Sequence, residues 1–348
     1  MEANTTEPAT YSYSTTGIPR PFVSPFLESL SSSMGMVEPN SLMEVLSRTI
    51  HGSNMILGAG GSLRTTYRIC YAVFKELPIS EELTKDDSVY EEITDHLEFM
   101  KIPRSYESVM KCYRETLQHA KAAKYLITKI VINRQRFDEA TFQEANRLLT
   151  YNDDPSPQEP CAAYGGDGDY RQWGMTRDPR FLDPLQIPSA MLGMITELAM
   201  EMESLDTTPL PLKPEDIQER IWKACRFCHH FILIHPFVDG NGRMYRLFLT
   251  TLLLRAGIPP AVYGLYIPDR MRHEQAEASC YTQDYQMLLN AADLVAFGPS
   301  EQLIKFVHEH TRCWWDSPGI HMPTFLHATG QSTGQGLEYP AASKMHPR

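Results

Sequence analysis

No stretch of the chain is apolar for long enough to cross a membrane as a helix. The densest run, Leu247 to Leu254, is about half of the ~20 residues a span requires, and Arg246 and Arg255 bracket it. The first twenty residues are mostly Ser, Thr, Tyr, Pro and Glu, without the apolar centre of a secretion signal. Basic charge is scarce as well. The 32 Lys and Arg against 43 Asp and Glu leave a formal net charge of −11. No Lys or Arg run offsets this, so nucleic-acid binding, which needs a basic surface, is not expected. There is no GxxxxGK[ST] loop and no HRD or DFG set, which removes P-loop NTPases and protein kinases. Cysteine is sparse: seven residues, at 70, 112, 161, 225, 228, 280 and 313, odd in number and scattered. They read as reduced thiols, and with no leader or span the expected location is cytoplasmic or nuclear. Cys225-Arg226-Phe227-Cys228-His229 spells the CxxCH of covalent haem attachment. That chemistry needs export, and no second CxxC exists for zinc. The pair sits in an unbroken helical pattern and reads as buried packing.

The rest is globular in kind. With 348 residues, 42% hydrophobic and 10% aromatic, the chain can bury a sizeable core. Helical periodicity dominates, without internal repeats or a strand-rich half, so the expected fold is all-α. Residues 1–38 and 317–348, rich in Ser, Thr and Pro, read as tails. Between them, apolar spacing predicts helices over 105–127, 138–149, 187–204 and 214–234. Residues 152–169 read as a surface loop, and 170–184 as a short hairpin-like flap. The helix over 214–234 has Pro214 in its first turn and acidic Glu215 and Asp216 beside its N-terminus. It should stop at His235, because Pro236 disfavours helical backbone before it. Another helix is expected from about Gly242 to Ala256, stopped by Gly257.

The informative segment joins those two helices: His235-Pro236-Phe237-Val238-Asp239-Gly240-Asn241-Gly242-Arg243-Met244-Tyr245-Arg246. Its glycines let backbone N–H groups turn into a concave nest at a helix N-terminus, a place suited to phosphate. Arg243 and Arg246, three apart, share a helix face and can clamp further phosphate oxygens. Asp239 is a hard oxygen ligand suited to Mg²⁺ on a di- or triphosphate. His235 is the nearby group able to accept a proton near neutral pH. Phe237 reads as the apolar anchor of the loop. Any one of these alone would mean little; together they point to a site for a di- or triphosphate with a base beside it.

The segment resembles the signature of the Fic family, H-x-F-x-[DE]-G-N-G-R-x-x-R, at every defined position. Most Fic proteins are all-helical enzymes that transfer AMP from ATP to a protein hydroxyl. The resemblance implies a Fic domain over 136–310, with an N-terminal helical region over 39–135. It implies His235 as the base and Asp239 as the Mg²⁺ ligand. Gly240, Asn241 and Gly242 would form the nest around the α- and β-phosphates; Arg243 would face the β-phosphate and Arg246 the γ-phosphate. Tyr170 to Pro184 resembles the family flap, whose middle, Met175, Thr176, Arg177 and Asp178, would align a protein target by backbone pairing. Tyr285 to Asp293 resembles the segment near the adenine, with either Asn290 or Asp293 as the equivalent. The implied partners are ATP and a protein substrate, with self-modification and a homodimer as further possibilities. Neither nucleic acid nor a membrane is an expected partner. Transfer of another nucleotidyl or phosphocholine group, and a non-catalytic interaction module, stay open beside adenylyl transfer.

Ser53-Asn54-Met55-Ile56-Leu57-Gly58 resembles the family's inhibitory-helix motif, [ST]-x-x-x-E-[GN], in its fungal-like form. The motif implies regulatory roles for Ser53, Leu57 and Gly58. Leucine replaces the Glu that pairs with the second signature arginine, and it cannot accept a hydrogen bond. The expectation is an absent lock, with Arg246 open to the γ-phosphate. A plain helix end, with Leu57 in the core and Gly58 as a stop, is the alternative.

Overall fold

The computed structural model describes residues 24–35, 37–150, 170, 181–206, 213–282, 299 and 301–315. Eleven α-helices are present among them: α1 (Pro25–Ser33), α2 (Pro39–Ile56), α3 (Leu63–Phe74), α4 (Ser88–Phe99), α5 (Tyr106–Leu126), α6 (Glu139–Thr150), α7 (Ile187–Asp206), α8 (Pro214–Ile234), α9 (Asn241–Arg255), α10 (Ile267–Thr282) and α11 (Glu301–Trp315). No sheet occurs among the described residues; one antiparallel bridge pairs Tyr170 with Phe237. The fold is all-α, as periodicity predicts.

The architecture is organised around α9. All but one of its side-chain positions are buried, which places it at the centre rather than on a face. It packs against α8, α6, α5 and α2. An aromatic cluster of Phe137, Phe142, Phe231 and Phe248 ties α6, α8 and α9 together at ring separations of 5.0–6.0 Å. Phe237 extends that cluster into the loop after α8, 6.2 Å from Phe231. The loop is therefore anchored to the densest part of the core. Cys225 and Cys228 are buried on α8, and burial pushes the Cys228 thiol well above its ordinary pKa.

Two features depart from the expected outline. Residues 25–33 form a helix where the sequence predicts a tail, and Phe26, Leu27 and Leu30 are buried. The Phe26 ring lies 5.2 Å from Phe74 on α3. Nine residues with four serines carry almost no intrinsic helical signal, so this helix owes its existence to packing. At the other junction, α5 runs on as a π-helix, Ile127–Ile132, before Arg134 turns the chain with φ +55°.

Helix α2 is seated closely on the α9 side of the molecule. A Cβ at Gly52 would lie 1.9 Å from the Tyr263 carbonyl oxygen, so only glycine permits this approach. Its C-terminus closes with the N–H of Ala59 donating to Asn54 O at 3.0 Å and that of Gly58 to Met55 O at 3.2 Å. This is a Schellman closure, with Gly58 at φ +65°.

Candidate active site

The loop between α8 and α9 is built by its own residues. His235 takes a left-handed conformation, φ 47° and ψ 60°, and its N–H donates to Phe231 O at 3.0 Å. A non-glycine residue in that region is strained and is held by its surroundings. The imidazole stacks on the Phe181 ring, with centroids 3.6 Å apart. Gly240 caps α9 at φ +80°. Between them, the Asn241 amide closes the loop: its Nδ2 donates to Phe237 O at 2.6 Å, and Phe237 N donates to its Oδ1 at 3.0 Å. The Asn241 side chain is thereby committed to loop shape, and its contribution to a nest is its backbone N–H.

The first intrahelical bond of α9 runs from Met244 N to Gly240 O at 2.8 Å. The N–H groups of Asn241 to Arg243 precede it and face the N-terminal end, where the helix dipole is positive. Helix α6 supports the turn from beneath. The buried Asn146 donates from Nδ2 to Asp239 O at 3.0 Å. A Cβ on Gly240 would lie 2.7 Å from Thr150 Cγ2 and 2.8 Å from Asn146 Nδ2. The Asp239 carbonyl is thus held inward, and its side chain is 66% exposed. On the other side, Tyr170 bridges Phe237 through the backbone, with rings 5.7 Å apart. Burial and the Glu139 carboxylate push the Tyr170 phenol up, so it stays protonated.

Both signature arginines are buried. Arg243 Nη2 lies 3.6 Å from Asp239 Oδ2. Arg246 reaches α2, donating from Nε to Ser53 Oγ at 2.8 Å and from Nη2 to Ser53 O at 3.1 Å. Behind them, His119 on α5 hydrogen-bonds through Nδ1 to Asn54 Oδ1 at 2.7 Å. Burial holds the His119 pKa well below the ordinary histidine value, and Arg243 and Arg246 push the same way. His273 on α10 is depressed by burial, Arg246 and His310. The two guanidinium groups are therefore backed by neutral imidazoles, which add no repulsion.

The structure brings His235, Asp239, Gly240, Asn241, Gly242, Arg243, Arg246 and Ser53 into one region. Arg246, expected to be open to the γ-phosphate, instead contacts the N-terminal helix through Ser53. The motif position holds Leu57, but the Ser53 hydroxyl and carbonyl, one helical turn earlier, take up two guanidinium N–H groups. Leu57 itself is 55% exposed at the α2 C-terminus and is not a core residue. The target-flap residues Met175, Thr176, Arg177 and Asp178, and both adenine-side candidates, Asn290 and Asp293, lie outside the described residues. Sequence reasoning missed Asn146, Thr150, His119 and Phe181. Asn146, Thr150 and His119 are ordinary residues on α6 and α5, and Phe181 lies outside any helix; only long-range packing gives each a place.

Residues 136–253, about a third of the chain, match the Fic/DOC family. A 46-residue stretch is 48% identical to Protein adenylyltransferase Fic of Drosophila yakuba, covering 13% of this chain and 8% of that protein. A 44-residue stretch is 52% identical to the protein of the same name from Drosophila virilis, again 13% and 8%. The match thus spans under a tenth of those relatives' length. A Fic domain-containing signaling protein from Bacteroides thetaiotaomicron superposes with a TM-score of 0.52 at 17% identity, over 83% of this chain and 93% of that one. That likeness shows the fold.

Proposed function

We propose that the chain is a protein adenylyltransferase that moves AMP from ATP to a Ser, Thr or Tyr hydroxyl of a protein. One observation carries the reading: a base, an exposed carboxylate and a helix N-terminus flanked by two buried arginines share a single stapled loop. The Drosophila relatives named for this activity support it. In the proposed reaction His235 takes the proton of the target hydroxyl. The hydroxyl oxygen attacks the α-phosphorus, the bond to the bridging oxygen breaks, and pyrophosphate leaves. The α9 N-terminus and Arg243 stabilise charge growing on the phosphate oxygens, so positioning and electrostatics supply most of the acceleration.

Magnesium fits this site in a limited way. Among the described residues no three His, Cys, Asp or Glu side chains gather into a metal cage. The exposed Asp239 carboxylate suits Mg²⁺, which takes one or two carboxylates and fills its shell with phosphate oxygens and water. When bound, the ion would neutralise charge on the leaving pyrophosphate. In this reading the contact of Ser53 with Arg246 restrains the arginine meant for the γ-phosphate, a hydroxyl-based restraint where the family motif has a carboxylate.

The test is incubation with ATP labelled at the α-phosphate, followed by mass spectrometry of the modified proteins, this chain included. Label on a hydroxyl side chain, lost on replacing His235, is the expected result. Label from CDP-choline or UTP but not from ATP would make it a different transferase of this fold. No label from any donor would leave an interaction module.

A further inference from the structure

The second half of α5 lines an open cleft of about 620 Å³, whose other wall is the end of α3 and the residues after it. That volume is in the range of ligand sites. Lys121, Lys124, Tyr125 and Thr128 are spaced to share one face of α5 and of the π-helix that continues it. His119, which bonds Asn54, precedes Lys121 by two positions, about 200° round the helix. The cleft therefore opens on the side of α5 away from Ser53 and Arg246.

Its two walls differ in kind. The α5 wall carries the ammonium groups of Lys121, Lys124 and Lys129, on a chain whose net charge is −11. The facing wall presents Val73, Leu77 and Ile79, with Leu77 44% exposed. The chain's own side chains show which anion these lysines accept. Lys121 pairs with Glu81, Lys124 with Glu76 at 2.8 Å, and Lys129 with Asp138 at 3.5 Å. All three carboxylates are at least 60% exposed. Exposed pairs of this kind contribute little, so an incoming carboxylate can take their place.

Geometry narrows the ligand further. Lys121 to Lys129 spans ~12 Å along the helix. In an extended peptide alternate side chains lie ~7 Å apart on one face, so acidic residues at every second position reach all three lysines within about five residues. The intervening side chains then point at the apolar wall. At the end of the cleft Asn133 and Gln135 bring side-chain amides, each with donors and an acceptor. A peptide backbone uses both, whereas a phosphate uses donors alone. The cleft also costs the fold some strain. Glu76 and Arg134, at its two ends, stand in left-handed backbone at φ +57° and +55°, and the π-helix Ile127–Ile132 lies between Lys124 and Asn133. Such departures concentrate at ligand sites.

We infer that this cleft docks an extended segment of a partner protein in which acidic and apolar residues alternate. The inference is independent of the chemistry proposed at His235.

The test uses the whole chain and a short fluorescent peptide of alternating Asp and Leu, read by polarisation. Saturable binding is expected, weakened by added salt as the charges are screened. Lys121→Gln combined with Lys129→Gln should weaken it about tenfold, and Leu77→Ser about fivefold, with melting temperatures close to that of the parent chain. A peptide of alternating Asp and Ser should bind at least about fivefold more weakly than the Asp–Leu peptide. No saturable binding of the Asp–Leu peptide would overturn the inference, as would binding indifferent to both the lysine and the leucine changes. Equal binding of the Asp–Ser peptide, or displacement by tripolyphosphate as readily as by unlabelled peptide, would make the cleft a general anion site and overturn it equally.

Discussion

The Arg246 guanidinium donates to both the hydroxyl and the carbonyl of Ser53, two bonds that join the centre of the signature helix to the N-terminal helix α2. Charged hydrogen bonds of this kind are worth about 1.5–3 kcal/mol each. Ser53→Ala deletes the hydroxyl and leaves the carbonyl. If α2 restrains Arg246, this change should raise nucleotide affinity or transfer by up to about tenfold. Titration calorimetry with ATP and an AMP-transfer assay read it directly. Unchanged affinity and rate would leave the contact a packing feature only.

Leu57 lies four residues beyond Ser53, on the same helical side and half open to solvent. A carboxylate there carries no burial penalty of the core kind. Leu57→Glu should therefore melt within a degree or two of the parent chain, while suppressing transfer by roughly one to two decades through a charge-assisted pair with Arg246. A folded variant with full activity would remove α2 from the regulation of this site.

His235 stands in left-handed backbone, which narrows the useful substitutions. Asparagine tolerates that region better than alanine does. His235→Asn should hold the loop and bind ATP with near-normal affinity, yet lose ~10²-fold or more in transfer, as expected for a missing general base. Activity above a tenth of the parent rate would move the base to another residue.

Asn146 fastens the Asp239 carbonyl from beneath. Asn146→Ala should let that peptide rotate and disturb both the Asp239 carboxylate and the Gly240 N–H. The expected signature is a weaker dependence on Mg²⁺ and a raised KM for ATP, with kcat less affected. Asn146→Asp, which cannot donate to a carbonyl when ionised, should fail to rescue. A loss confined to melting temperature, with kinetics intact, would make Asn146 purely structural.

Much of this site was legible in the sequence because it is written contiguously. Pro236 and Gly240 dictate where α8 stops and α9 starts, and the two arginines follow at helical spacing. The bounds expected for α8 match those observed, and α9 begins one residue earlier than expected. What could not be read depends on contacts distant in sequence. Helix α1 has serine-rich composition and exists because Phe26 and Leu30 find a core to enter. Ser53 and Arg246 are 193 residues apart, and the pairing rests on the glycine approach at Gly52. A lone serine on an amphipathic helix gives no sign of such a partner.

The buried histidines make the fold sensitive to mild acid. Burial, with neighbouring guanidinium groups adding to it, depresses His119 and His273, and burial with nearby His96 lowers His51 to about 4. The unfolded chain takes up protons near pH 6.5 at these positions, and the folded chain refuses them. Their stabilising contribution is therefore present above the ordinary histidine pKa and is lost as pH falls below it. Urea unfolding at pH 7, 6 and 5 should show it. His119→Gln retains an amide donor toward Asn54 and cannot titrate, so it should remove one histidine's share of the slope, even if it lowers stability at pH 7. An identical pH dependence in the parent chain and in His119→Gln would mean that His119 is protonated in the fold, and the neutral backing of Arg243 and Arg246 would fall with it.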